Sequence, residues 1–263
     1  MNSNFFKILA THTRSHLTLP LAHALIRKSS EIQFLASYPR SGSTWVRTMV
    51  CNVLVQNANS DPQVFNREIP GVSLKNLALV NQPRPTRYAF THAGYQPSIK
   101  KCVYIVRDGR DAIVSYYHYT TTRQGLELPF QQWFEYYAIG YYGPRWDQNI
   151  LSWLTHGQQE LGVDLKIVRF ENIKKDTKYE LDGILTFLDI PISSQTIESA
   201  IQTAGIEQGK QWEKHYRGNV KNANASFYRG GKVGDWQDYL NGNTLERFMH
   251  LSAKAFEVAG YSQ

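Results

Sequence analysis

The sequence is short of several things, and each shortage removes a class of protein. Its 263 residues hold two cysteines, Cys51 and Cys102, each inside an apolar run and without the CxxC or histidine company of a zinc site. Reduced, buried thiols and a cytoplasmic setting are the expectation. No apolar run reaches the roughly 18 residues that a membrane helix requires. LTLPLAHALI, preceded by Arg14, imitates a secretory leader, but the polarity of His16 and His23 around its apolar core and its late start argue against one. Internal repeats, low-complexity tracts and long linkers are missing as well, so one domain over 1–263 is expected, with 1–30 an extension that packs within it or lies loosely against it. The nucleotide loop GxxxxGK[ST] is also absent, since Lys210 in GIEQGKQ lacks both the spacing and the following hydroxyl. A formal charge of +7 calls for an anionic partner, whether nucleic acid, membrane surface or a multiply charged small molecule. Lys and Arg are scattered rather than gathered into a run, which argues against nucleic acid.

What the chain does have is a strand-turn-helix pattern that recurs. EIQFLASYP reads as a buried strand stopping at Tyr38, and Trp45, Val46, Met49, Val50, Val53 and Leu54 then recur at helical spacing. The helix should begin within Ser41 to Thr44 and end near Asn57. A turn of this kind presents backbone N–H groups and the positive end of a helix dipole, the geometry that holds a phosphate, and Ser41, Ser43 and Thr44 add hydroxyls. On its own it is equally a plain structural turn. KKCVYIVRDGRDAIVSYYHY repeats the pattern, with a strand over 102–106, Arg107 at its carboxyl end, Asp111 expected as the helix N-cap and Ser115 one turn further in. LKIVRFENIKKD and YELDGILTFLDI form a third unit, with Leu181, Ile184, Leu185 and Leu188 on one helix face. This alternation favours an α/β domain with a central parallel sheet flanked by helices. The aromatic stretch FQQWFEYYAIGYYGPRW is either core or acceptor pocket, core being the commoner use of such a stripe. The segment 59–88 reads as irregular and as a candidate wall of an acceptor cleft. In FYRGGKVGDWQDYL, Arg229, Gly230 and Gly231 form a flexible cationic loop that can approach an anion closely.

Together these pieces resemble the sulfotransferases that use 3'-phosphoadenosine 5'-phosphosulfate (PAPS), particularly the soluble type, from about Ile32 to Trp236. Tyr38 to Trp45 resembles the family's 5'-phosphosulfate loop, Arg107 to Ser115 its 3'-phosphate motif, and RGGKVGDW its C-terminal loop. Arg169-Phe170-Glu171-Asn172 is similar to a motif that follows the third strand. The resemblance implies a nucleotide-kinase-like fold, with Arg40, Ser41, Gly42, Ser43 and Thr44 on the 5'-phosphate and Trp45 stacked on adenine. It also implies Arg107 and Ser115 on the 3'-phosphate, joined by Arg229, Gly230 and Gly231. His92, ending RYAFTH, then stands where the family has its general base, with Arg40 stabilising the leaving group and Ser115 beside it. PAPS is the implied co-substrate and 3',5'-adenosine bisphosphate (PAP) the product, with no metal. The implied acceptor is a small molecule, glycan or lipid bearing a hydroxyl or amine.

The chain departs from the family pattern in four places. Arg40 replaces a lysine, exchanging a point charge for a planar fork. Phe170 replaces a tyrosine, which implies one adenine hydrogen bond fewer, and Gly230 replaces a lysine. Gln237 to Glu246 matches the family's dimer motif poorly, with Asn241-Gly242 in place of Thr-Val. Two alternatives stay open on sequence alone: a nucleotide- or polyanion-binding protein without catalysis, and a kinase-like phosphotransferase, which would need the missing nucleotide-loop lysine and metal carboxylates.

Overall fold

A computed structural model describes residues 18–55, 61–84, 87–124, 128–191, 193–216 and 230–262. Among the described residues the apolar runs form four strands, β1 (Ile32–Ser37), β2 (Arg87–Thr91), β3 (Lys101–Val106) and β4 (Leu165–Arg169). They pair in the order β2-β1-β3-β4, parallel throughout. Strands buried on both faces need apolar residues in both alternating sets. Phe34 and Ala36 of β1 accordingly join Tyr104 and Val106 in one core, while Leu35 joins Val103, Ile105 and Val168 in the other. Cys102 and Cys51 are free thiols, one in each core. Burial pushes Cys51 up to about 12 and raises Cys102 well above its ordinary value, so both remain protonated.

The helices are α1 (Ser43–Leu54), α2 (Pro62–Glu68), α3 (Gly109–Gln124), α4 (Phe130–Ala138), α5 (Trp146–Leu151), α6 (Phe170–Lys175), α7 (Thr177–Phe187), α8 (Ser194–Thr203), α9 (Ile206–Tyr216) and α10 (Gly242–Ala259). One-turn segments fill several of the connections. α1 stops at Leu54, short of the expected Asn57. In α7 the expected face is the buried one: Leu181, Ile184 and Leu185 are inaccessible, and Leu188 packs just past the last turn. The helical stretch 18–24 places Ala22 and Ile26 in the same core as Phe34.

One expectation needs correction, and one open alternative is decided. The segment 59–88 is not irregular, because Asp61 caps α2 through Gln63 N and further one-turn helices follow at Leu74–Asn76 and Leu77–Val80. The aromatic stretch after Pro129 is core: Trp133, Phe134, Tyr137 and Trp146 are at most 2 % exposed. Its polar handles are satisfied internally, Trp133 Nε1 on Thr120 and Trp146 Nε1 on the Arg107 carbonyl, which is why so many aromatics can be buried together.

The topology also fixes where a ligand belongs. From central β1 the chain passes outward to β2, then returns to β3 on the other side, so the loops after β1 and β3 diverge. Such a switch point leaves a crevice at the carboxyl ends of the strands.

Candidate active site

The turn after β1 is shaped by two left-handed residues, Arg40 (φ 69°) and Gly42 (φ 89°). Gly42 has a second reason to be glycine, because a Cβ there would stand 2.4 Å from the Phe170 ring. Gly42 is also the N-cap of α1, which has no side-chain cap and no acidic residue in its first turn. The helix therefore keeps its positive end and its terminal N–H groups directed at the crevice.

The turn after β3 is built differently. Asp108, not Asp111, caps α3: its Oδ1 accepts from Arg110 N at 2.9 Å, and Glu171 Oε1 accepts from Asp108 N at 3.0 Å. The expected cap, Asp111, lies one turn too far in and serves another purpose. Its carboxylate accepts from Gly234 N (2.8 Å) and Trp236 N (3.1 Å), tying the C-terminal loop down over the crevice. Burial raises the Asp111 pKa, opposed chiefly by the Gly234 N–H. Arg107 completes the tie, with Nη1 donating to the Arg40 carbonyl at 3.0 Å and Nη2 to that of Lys232 at 2.9 Å. Its guanidinium lies over the Phe170 ring, 4.5 Å from the centroid, and is 3.9 Å from Asp111. Desolvation lowers the Arg107 pKa despite that carboxylate.

His92 follows the last residue of β2. Its Nδ1 donates to the Ser37 carbonyl at the end of β1 (2.8 Å), so the proton sits on Nδ1 and Nε2 is the basic nitrogen. Phe90 holds the ring edge-to-face at 4.6 Å, and Asn149, itself accepting from Tyr104, donates to the His92 carbonyl. Behind the site His23 Nε2 meets Thr91 Oγ1 at 2.9 Å, and burial lowers its pKa to about 4.

These residues share a crevice of about 650 Å³ lined by Pro39, Arg40, Gly42 to Trp45, His92, Arg107, Ser115, Tyr116, Tyr119, Phe170, Gly230 and Gly231. Arg40 Nε donates to Ser115 Oγ at 3.2 Å. Ser41 is the exception among the expected residues, being fully buried behind the loop and not part of the lining. Arg229 lies outside the described residues. None of the described residues of 59–88 and none of the aromatic stretch 130–146 lines the crevice. The sequence reading missed Tyr116 and Tyr119 of this lining, together with Lys174, Ile201, Gly205, Ile206 and Glu207, which complete it. Only Lys174 carried a signal, as the first lysine after Phe170-Glu171-Asn172, and its Nζ lies 5.7 Å from the Trp45 ring. Ile201 to Glu207 come from the α8–α9 junction, which no motif marks.

The lining suits a polyanion. It combines an uncapped helix N-terminus with Arg40, Arg107 and Lys174, and one buried polar atom of a lining residue, Arg107 Nε, has no hydrogen-bond partner. Among the described residues no cluster of three or more His, Cys, Asp or Glu could hold a metal, and no helix is long and apolar enough to cross a membrane.

Comparison with known proteins agrees with this chemistry. The chain is 26% identical to flavonol 4'-sulfotransferase of Flaveria chlorifolia over 91% of its own length and 83% of the relative's. It is 24% identical to sulfotransferase 1B1 of Mus musculus over 81% of its length and 79% of that protein's. A mouse sulfotransferase solved in complex with PAP shares the fold, with a TM-score of 0.68 at 21% identity over 93% of each chain. Residues 32–258 match the family model described as the sulfotransferase domain, and since that match covers most of the chain, the protein belongs to the sulfotransferase domain family.

Proposed function

We propose that the protein transfers a sulfuryl group from PAPS to a hydroxyl or amine of a small-molecule acceptor, with His92 as general base. The observation that carries this reading is the convergence, at the carboxyl ends of three parallel strands, of an uncapped helix N-terminus, Arg40, Arg107, Ser115 and a histidine whose proton is held on Nδ1. When bound, the donor supplies an activated sulfuryl group and departs as the bisphosphate. The N–H groups of Ser43, Thr44 and Trp45 hold its 5'-phosphate, and Trp45 offers a face to the base. Arg107, Ser115, Gly230 and Gly231 receive the 3'-phosphate. Arg107 does so as part of the tie that links the two loops, which is why binding and loop closure are coupled through it.

Transfer needs the acceptor oxygen aligned with the leaving oxygen, a proton removed on one side and negative charge met on the other. His92 Nε2 takes the proton, and the Ser37 carbonyl then stabilises the imidazolium through Nδ1. Arg40, tethered to Ser115, meets charge at the leaving oxygen. The reduced, buried cysteines suit a cytoplasmic protein. Labelled donor incubated with simple phenols and primary alcohols tests the reading. Labelled acceptor should form with the wild type and fall by about 10²-fold in His92→Ala. Donor binding with neither transfer nor release of PAP would contradict it.

A further inference from the structure

Arg40 is held on two sides by a single face of α3. Ser115 and Tyr119, four residues apart and so on the same side of the helix, take its Nε and its guanidinium plane respectively. Nε donates to Ser115 Oγ at 3.2 Å, and Cζ lies 5.1 Å from the Tyr119 ring centroid. The Tyr119 ring is itself seated. It stacks on Tyr116 with an interplanar angle of 16°, and Tyr116, buried, donates from its hydroxyl to the Tyr142 carbonyl at 3.1 Å and meets Trp133 edge-on at 6.0 Å. At the other end, the Arg40 backbone is pinned in the left-handed region with its carbonyl on Arg107.

We infer that Tyr119 is a positioning residue for Arg40, fixing the plane of the guanidinium so that its Nη edge faces the leaving oxygen. The inference rests on the function proposed above and deepens it. A lysine carries a point charge whose effect depends little on orientation, whereas a planar fork delivers its donors in one plane only and is much worse when free to rotate. Stacking over an aromatic face within about 6 Å is the standard means of holding that plane. The chain thus carries the fork at position 40 and, one helical face away, the ring that aims it.

The first arm of the test needs no turnover. In full-length protein labelled with 15N, the Arg40 Nε–H resonance is the one lost in Arg40→Lys. It should be as rigid as the backbone in the wild type and in Tyr119→Phe, which keeps the ring, and should become mobile in Tyr119→Leu while the other arginine signals stay unchanged. The second arm follows release of PAP from the donor with water as acceptor. Tyr119→Leu should lower it by about 10-fold when residue 40 is arginine and by less than about 2-fold in an Arg40→Lys background. An Arg40 signal that stays rigid in Tyr119→Leu, or equal losses in both backgrounds, would overturn the inference. A wild type that releases no PAP would instead count against the proposed function, and the relaxation arm would still decide whether Tyr119 holds Arg40.

Discussion

The turns after β1 and β3 have the same plan, a parallel strand running into a helix, yet they present opposite surfaces to the crevice. The first contains no carboxylate, places Arg40 and Gly42 in left-handed conformations and leaves α1 without a side-chain cap. The second is saturated with its own acids: Asp108 caps α3, Asp111 lies in its first turn, and Glu171 covers the Asp108 N–H. A helix N-terminus binds an external anion only where the protein has not already supplied one. The comparison teaches that only the first turn leaves a helix N-terminus open, while the second anchors the covering loop, and under the proposed function the first would receive the anion on backbone and the second through the Arg107 and Ser115 side chains.

Several substitutions sharpen or break this contrast. The largest effect belongs to His92, which the end of β1 holds against the open turn: His92→Ala should reduce kcat by about 10²-fold with PAP affinity within about 2-fold. A parallel loss of affinity would show that the histidine serves binding instead. Next comes Gly42→Ala, which combines a Cβ 2.4 Å from Phe170 with φ 89° and should weaken PAP by about 30-fold, from strain of about 2 kcal/mol. Its counterpart Gly109→Ala also clashes, 2.6 Å from the Trp146 ring, but in helical backbone within the closed turn. That variant should lower the denaturation midpoint and weaken PAP much less than Gly42→Ala, and equal losses of affinity would erase the distinction between the turns.

Arg107→Ala should cost about 2 kcal/mol in PAP binding and less in AMP binding, because the proposed 3'-phosphate donor is lost only for PAP whereas the link between the Arg40 and Lys232 carbonyls is lost for both. Titration of the variant with each nucleotide measures the difference. The smallest effect is expected for Asp108→Ala, about 1 kcal/mol of stability for a lost cap, with nucleotide affinity unchanged. If that variant instead bound anion at the newly uncapped α3, the rule drawn from the comparison would gain direct support.

Much of this was legible from sequence because period and punctuation carry it. The three strand-turn-helix units follow from apolar runs broken by Pro39, Gly42 and Gly109, and the motif residues from Pro39 to Trp45, with His92, Arg107 and Ser115, all converge except Ser41. What escaped depends on long-range pairing. Asp111 looks like a cap by position, and only the fold brings Gly234 and Trp236 to its carboxylate from more than 120 residues away. Tyr119 belongs to an aromatic run like any other until the turn after β1 places Arg40 on its face. The helices within 59–88 lack the long amphipathic period that would have announced them, α2 being seven residues long.

The most direct test of the central claim is calorimetric titration of the purified protein with PAP, and in parallel with AMP and with ATP plus magnesium. The account predicts tight PAP binding with a marked preference over AMP, the difference residing in the 3'-phosphate and vanishing in Arg107→Ala. Equal affinity for PAP and AMP, or preference for ATP with magnesium, would contradict it.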